Sequence, residues 1–140
     1  MVGASSACLT LEGVADVYEL FCNGTRLLEQ GDFHAAAVPL TRARELEPDK
    51  DSIREALGRA LFGAQRYEEA AAEFGAIVEH RPTDDYAQFC LGRSLQQLGR
   101  HAEARGEFER AAALTRNARE QTLLLSRAAA CEGKPERKRK

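Results

Sequence analysis

The feature that most constrains this chain is its self-similarity at a period of 34 residues. Gly24, Gly58 and Gly92 stand at that interval, embedded in CNGTRLLEQGDF, ALGRALFGAQRY and CLGRSLQQLGRH. Leu27, Leu61 and Leu95 keep the same spacing, as do Phe33, Tyr67 and His101, then Ala36, Ala70 and Ala104, then Leu40, Phe74 and Phe108. Pro48 and Pro82 close the first two copies. A period of this length is one supersecondary unit that cannot bury its apolar face alone, so neighbouring copies must stack to make a core.

Within each copy the apolar spacing is helical. Leu57, Gly58, Leu61 and Ala64 recur at steps of three and four along one face, and Ala70, Phe74, Ile77 and Val78 do so on the next. Gly31 and Gly99 fall between the paired helices, where a turn needs a residue tolerant of left-handed backbone. No strand-like alternation of β-branched residues occurs, and the alanine runs 70–72 and 111–113 favour helix.

These columns resemble the tetratricopeptide repeat family over about residues 17–118, with a partial fourth copy to about 131. The departures are Asn23 in place of a usual leucine, Arg54 and Gln88 in place of a large apolar residue, and Arg116 where a third proline would stand. The resemblance implies an all-α fold: a right-handed α-solenoid of antiparallel helix pairs, with three repeats and about seven helices. The expected organisation is an irregular segment over 1–13 and a repeat domain over 14–131, followed by a basic flexible tail over 132–140. The repeats run 17–50, 51–84 and 85–118, with a closing helix over 119–131 in which Leu125 and Ser126 take the leucine and glycine positions.

In this family the first helices of successive repeats line a concave groove, and the residues at ligand-facing positions carry over one by one. They are Tyr18, Phe21, Thr25, Leu28 and Glu29, then Ser52, Glu55, Arg59, Phe62 and Gly63, then Tyr86, Phe89, Arg93, Gln96 and Gln97, with Leu123 and Arg127 from the closing helix. Arg59, Arg93 and Arg127 form a column at the repeat interval, and a guanidinium fork can hold a carboxylate by two parallel hydrogen bonds. Aromatic residues and arginine are the usual interface anchors. The bland alternative is a solvated face, with Arg59 paired to Glu55 one turn earlier. Family members that hold the acidic tails of heat-shock chaperones use a lysine, asparagine and arginine clamp. At those five places this chain has Phe21, Thr25, Ala56, Tyr86 and Cys90, so that ligand is not expected.

Composition bounds the remaining classes. A chain of 140 residues with 44% hydrophobic content is one domain's worth of core. The net charge of -2 is uneven: residues 134–140, KPERKRK, carry +4, which leaves an acidic body poorly matched to a phosphate backbone. Four cysteines, at 8, 22, 90 and 131, form no CxxC pair and no zinc spacing, and read as reduced thiols. Cys22 and Cys90, two repeats apart, are expected as small, partly buried residues. His34, His80 and His101 fall in no metal-ligand or nucleophile-base pattern. No signal peptide or membrane span is expected, so the default location is cytoplasmic.

The reading is therefore a non-enzymatic protein-protein interaction module without cofactor or metal, an adaptor or scaffold. Its groove would take a partner's peptide or helix, acidic with apolar residues. Two readings from other classes stand beside it. One is a nucleic-acid or ribosome-associated adaptor acting through Lys134, Arg137, Lys138, Arg139 and Lys140. The other is an assembly protein that self-associates through its repeat edges.

Overall fold

Close approach between helices is what the repeat glycines secure. The computed structural model describes residues 2–136, with side chains from Asp16 onward. Seven helices follow one another: α1 Val2–Glu29, α2 Phe33–Leu46, α3 Asp51–Gly63, α4 Tyr67–His80, α5 Asp85–Gln97, α6 His101–Leu114 and α7 Ala118–Ala130. By their internal contacts they divide into two units, residues 1–64 and residues 65–140.

In the first unit α1, α2 and α3 pack on one another. A methyl group added at Gly24 of α1 would run into the buried Leu40 side chain of α2, so this helix pair needs a bare backbone there. Gly63, at the end of α3, faces the Phe33 ring of α2 in the same way and so belongs to helix packing rather than to a groove. Leu28 is buried as well, and is core rather than ligand-facing. The buried residues of this unit run through Ala36, Leu40 and Ala43 of α2 and Ile53, Leu57 and Leu61 of α3.

In the second unit α5 packs on α4 and α6, and α7 closes on α6. Gly92 of α5 lies under Phe108 of α6, where an added Cβ would sit 2.8 Å from the ring. Leu95, Ala104, Phe108, Ala111, Ala112, Leu124, Ala128 and Cys131 form one apolar cluster, with Phe89 and Leu91 against it. Asp84 caps α5 by accepting from Ala87 N at 3.0 Å, and Asn117 caps α7 by accepting from Arg119 N and Glu120 N.

Several expectations are revised. Residues 2–13, expected to be irregular, form the first turns of α1; the segment holds no proline, and a helix already nucleated further on extends through such a stretch at little cost. Leu125 and Ser126 keep their repeat positions in α7 but are exposed, because among the described residues no helix follows to cover them. The side chains that bury α7 are Leu124, Ala128 and Cys131. Cys22 is exposed instead of partly buried, while Cys90 and Cys131 are buried, and all three are free thiols. Within the stretch expected as a tail, Glu132 N donates to Ala129 O, Lys134 N donates to Cys131 O and the Glu136 carboxylate accepts from Ala102 N, while residues 137–140 lie outside the described residues.

The polar departures from the repeat pattern have a common role. Arg54 Nε donates to Pro48 O at 3.0 Å, and Gln88 Nε2 donates to Pro82 O at 3.2 Å. Each side chain thus reaches back six residues to fasten the loop that precedes its own helix. Gln65 occupies the turn column where Gly31 and Gly99 stand, and its φ of 64° is as left-handed as their 80° and 81°.

Candidate partner-binding face

The helical spacing of Tyr86, Phe89, Arg93 and Gln96 carries them along one side of α5, and Arg127 on α7 comes to the same place. The Phe89 ring is the hub. Tyr86 lies 6.4 Å from it between centroids, and Phe108 lies 6.1 Å away on the core side. Two guanidinium groups approach this one ring: Arg127 Cζ at 5.3 Å from the centroid and Arg93 Cζ at 6.0 Å. Such contacts are attractive because the ring face is electron-rich. Arg127 Nε is buried and has no hydrogen-bond partner. A buried charged donor left unsatisfied costs more than an ordinary lost hydrogen bond, so this nitrogen favours an incoming acceptor.

Other expected residues take different roles. Gln96 Nε2 donates weakly to Cys131 Sγ at 3.8 Å, which ties α5 to α7. Burial pushes the Cys131 thiol above its usual range, against the smaller opposing effect of Lys134. Tyr86 is partly exposed at 44%, and Leu123 of α7 is exposed at 54%. In the first unit Tyr18 is exposed at 72%, and Phe21 and Phe62 are half-buried. Thr25 is bonded back into its own helix, donating to Phe21 O at 2.9 Å. Arg59 is exposed, and its expected pairing with the half-buried Glu55 is not formed. Ala56 and Cys90, two of the places a chaperone-tail clamp would use, are buried at 4% and 8% exposure and cannot face a ligand.

The reading of the sequence missed a recurrent ion pair. Arg66 holds Glu69 through two hydrogen bonds of 2.7 and 2.8 Å at the start of α4, and Arg100 holds Glu103 likewise, at 2.7 and 3.1 Å, at the start of α6. The hydrogen bond from Arg66 holds the Glu69 carboxyl below the usual carboxylate range. The signal was present as an arginine and a glutamate three residues apart in two repeats. Among the described residues no group of three His, Cys, Asp or Glu side chains could hold a metal ion, and no helix is long and apolar enough to cross a membrane.

Sequence profiles described as tetratricopeptide repeat match residues 27–90 and 85–118. The chain belongs to the tetratricopeptide repeat family. Its all-α solenoid fold is shared by solved structures of that family. The first tetratricopeptide domain of Spaghetti (RPAP3), solved bound to the HSP90 peptide SRMEEVD, is 20% identical with a TM-score of 0.74, covering 83% of this chain and 92% of that one. A MamA mutant is 27% identical with a TM-score of 0.69, covering 72% and 74%. PcrH of Pseudomonas aeruginosa, in complex with the chaperone binding region of PopB, is 20% identical with a TM-score of 0.69, covering 82% and 93%. Among curated protein sequences no relative matches this tetratricopeptide repeat chain.

Proposed function

We propose that this tetratricopeptide repeat chain is a non-enzymatic protein-interaction module of the cytoplasm, an adaptor or scaffold that holds a peptide or helix of a partner on the face formed by α5 and α7 of its second unit. The observation that carries the reading is the Phe89 ring with Arg93 and Arg127 upon it, and Arg127 Nε buried without a partner. A carboxylate from the ligand would pair with the Arg127 guanidinium and give its nitrogen an acceptor. An adjacent apolar side chain would rest on the exposed Tyr86 ring. Support also comes from the likeness to domains solved with an HSP90 peptide and with a segment of PopB. The ligand class differs from the chaperone tail, since Phe21, Thr25, Ala56, Tyr86 and Cys90 stand where the clamp residues would be.

The test is selection from a displayed random-peptide library on the full chain, repeated with Arg93→Met and Arg127→Met together. The expected winners carry Asp or Glu within a few residues of an aromatic or aliphatic side chain. The double variant should hold them about tenfold less tightly, the loss set by one charge-assisted hydrogen bond of roughly 1.5 kcal/mol. Selection of basic peptides, or equal capture by both proteins, would reject the reading.

A further inference from the structure

The side of α7 turned away from the buried Leu124 and Ala128 extends the site beyond Arg127. Arg119, Leu123 and Arg127 follow one another at four-residue steps, each roughly 6 Å further along the helix and about 40° further round its axis. They make one slanting strip of cation, apolar side chain and cation. Arg127 rests on the Phe89 ring, and Leu123 is exposed at 54%. The small side chains of Ala118, Thr122 and Ser126 stand alongside, and with Arg119 and Leu123 they line an open trough of about 730 Å³.

Neither cation is spent on a carboxylate among the described residues. The backbone nitrogen of Arg119 is engaged by the cap residue Asn117 at 2.9 Å, but its guanidinium forms no ion pair there. Arg127 Nε is buried without an acceptor. Glu120, the one acid of α7, accepts from Thr115 Oγ1 at 3.0 Å instead. The complement of the strip is therefore a carboxylate, an apolar side chain and a second carboxylate. Spacing fixes the form of that ligand. Arg119 and Arg127 are about 12 Å apart along the helix at 1.5 Å per residue. In an extended chain, at roughly 3.3 Å per residue, residues four apart span about 13 Å, and the residue midway between them points to the same side. A docked helix would need several apolar anchors at steps of three and four, and the strip offers one.

We infer that the occupant of this strip is an extended segment of a partner protein in which two acidic residues, four apart, flank an apolar one. One carboxylate meets Arg119, the other meets Arg127, and the apolar side chain between them rests on Leu123. The segment thus runs along α7, with the end at Arg127 beside the Phe89 and Tyr86 rings. The inference rests on the peptide reading proposed above, because Arg127 is common to both, and adds to it a second charged anchor, a course for the ligand and a spacing rule. An acidic segment with its charges two apart reaches one arginine at a time, so the strip selects by distance as well as by charge.

The test is a titration of the isotopically labelled full chain, at low ionic strength, with two capped peptides, followed through its backbone amide resonances. One peptide has the core Glu-Ser-Leu-Ser-Glu and the other Ser-Glu-Leu-Glu-Ser, the same composition with the acids two apart. The first should shift the amides of 118–127 and bind about threefold or more tightly than the second, the gain from one further exposed ion pair. Arg119→Met should remove that difference, Arg119→Lys should keep part of it, and Leu123→Ser should weaken both peptides alike. Arg119 and Leu123 are exposed, so the helical circular dichroism of these variants should match the native chain. Binding that needs Arg127 but ignores Arg119 and the spacing would overturn this inference and leave the peptide reading standing. No shift with either peptide would overturn both. Shifts of the same amides on raising the protein concentration alone would make a second copy the occupant, and would equally reject the inference.

Discussion

Two glycines in the middle of helices allow the packing argument to be tested by sign. Gly75 of α4 has open space where a Cβ would go, with nothing within 4 Å. Gly92 of α5 has the Phe108 ring there, at 2.8, 3.0 and 3.1 Å from three ring carbons, and that ring is fully buried. Alanine at either site recovers about 0.5–1 kcal/mol of helix propensity. At Gly92 it also forces a methyl group into a ring that has no room to retreat, which costs about 1–3 kcal/mol. Gly75→Ala should therefore raise stability, and Gly92→Ala should leave it unchanged at best and lower it by up to about 2.5 kcal/mol. The assay is urea unfolding followed by helical circular dichroism. At a slope of roughly 2 kcal/mol per molar, the two midpoints should separate by about 0.5–1.5 M. Phe108→Leu provides the cross-check, because the damage done by Gly92→Ala should shrink in that background. Coincident midpoints for the two alanine variants, or no coupling to residue 108, would refute the claim that these glycines are there for close approach.

Further expectations concern the turns, the thiols and the ion pairs. Gln65→Gly should stabilise the chain by roughly 0.5–1 kcal/mol, since a left-handed φ strains any side chain; a lower melting temperature would contradict this. Iodoacetamide should label the exposed Cys22 well before Cys131, whose thiol is buried and shifted upward, and equal labelling rates at pH 8 would show that Cys131 is not so held. Because the Glu69 carboxyl is held low, its bond to Arg66 contributes above the ordinary carboxylate range and is lost as pH falls through the folded-state value. Glu69→Gln should thus be less stable than the native chain by at most about 0.5 kcal/mol at pH 7, for so exposed a pair, with the gap closing at pH 2; a gap that persists in acid would contradict the assignment.

The repeat was legible because its glycines and bulky partners are fixed by one helix pair at a time. Gly24 with Leu40 and Gly92 with Phe108 are local pairings, sixteen residues apart, and they recur. Burial that depends on what comes next was not legible. Leu125 has the right residue at the right station, yet only a following helix would cover it. Leu124 and Ala128 are buried because they repeat the smaller columns of Ala56 with Cys90 and Ala60 with Ser94, which a search for large apolar residues passes over. Arg54 and Gln88 read as defects for the same reason: their value lies in a hydrogen bond to a loop carbonyl, and hydropathy does not register it. The convergence of Arg93 and Arg127 on Phe89 joins helices 34 residues apart in register, so periodicity could align the two arginines but not show that they share a ring.

The uncovered side of α7 has a kinetic meaning. Leu125, Ser126 and Ala129 stand where Leu91, Gly92 and Leu95 stand on α5, but no helix among the described residues lies over them. A helix held from one side opens more often than one held from two, so its amides should be the first of the second unit to exchange with deuterium. In an array whose stability grows by one interface per added element, this also makes length an adjustable property. A grafted helix with alanine and phenylalanine four residues apart, as in Ala104 and Phe108, would find a seat already cut for it and slow the exchange of α7.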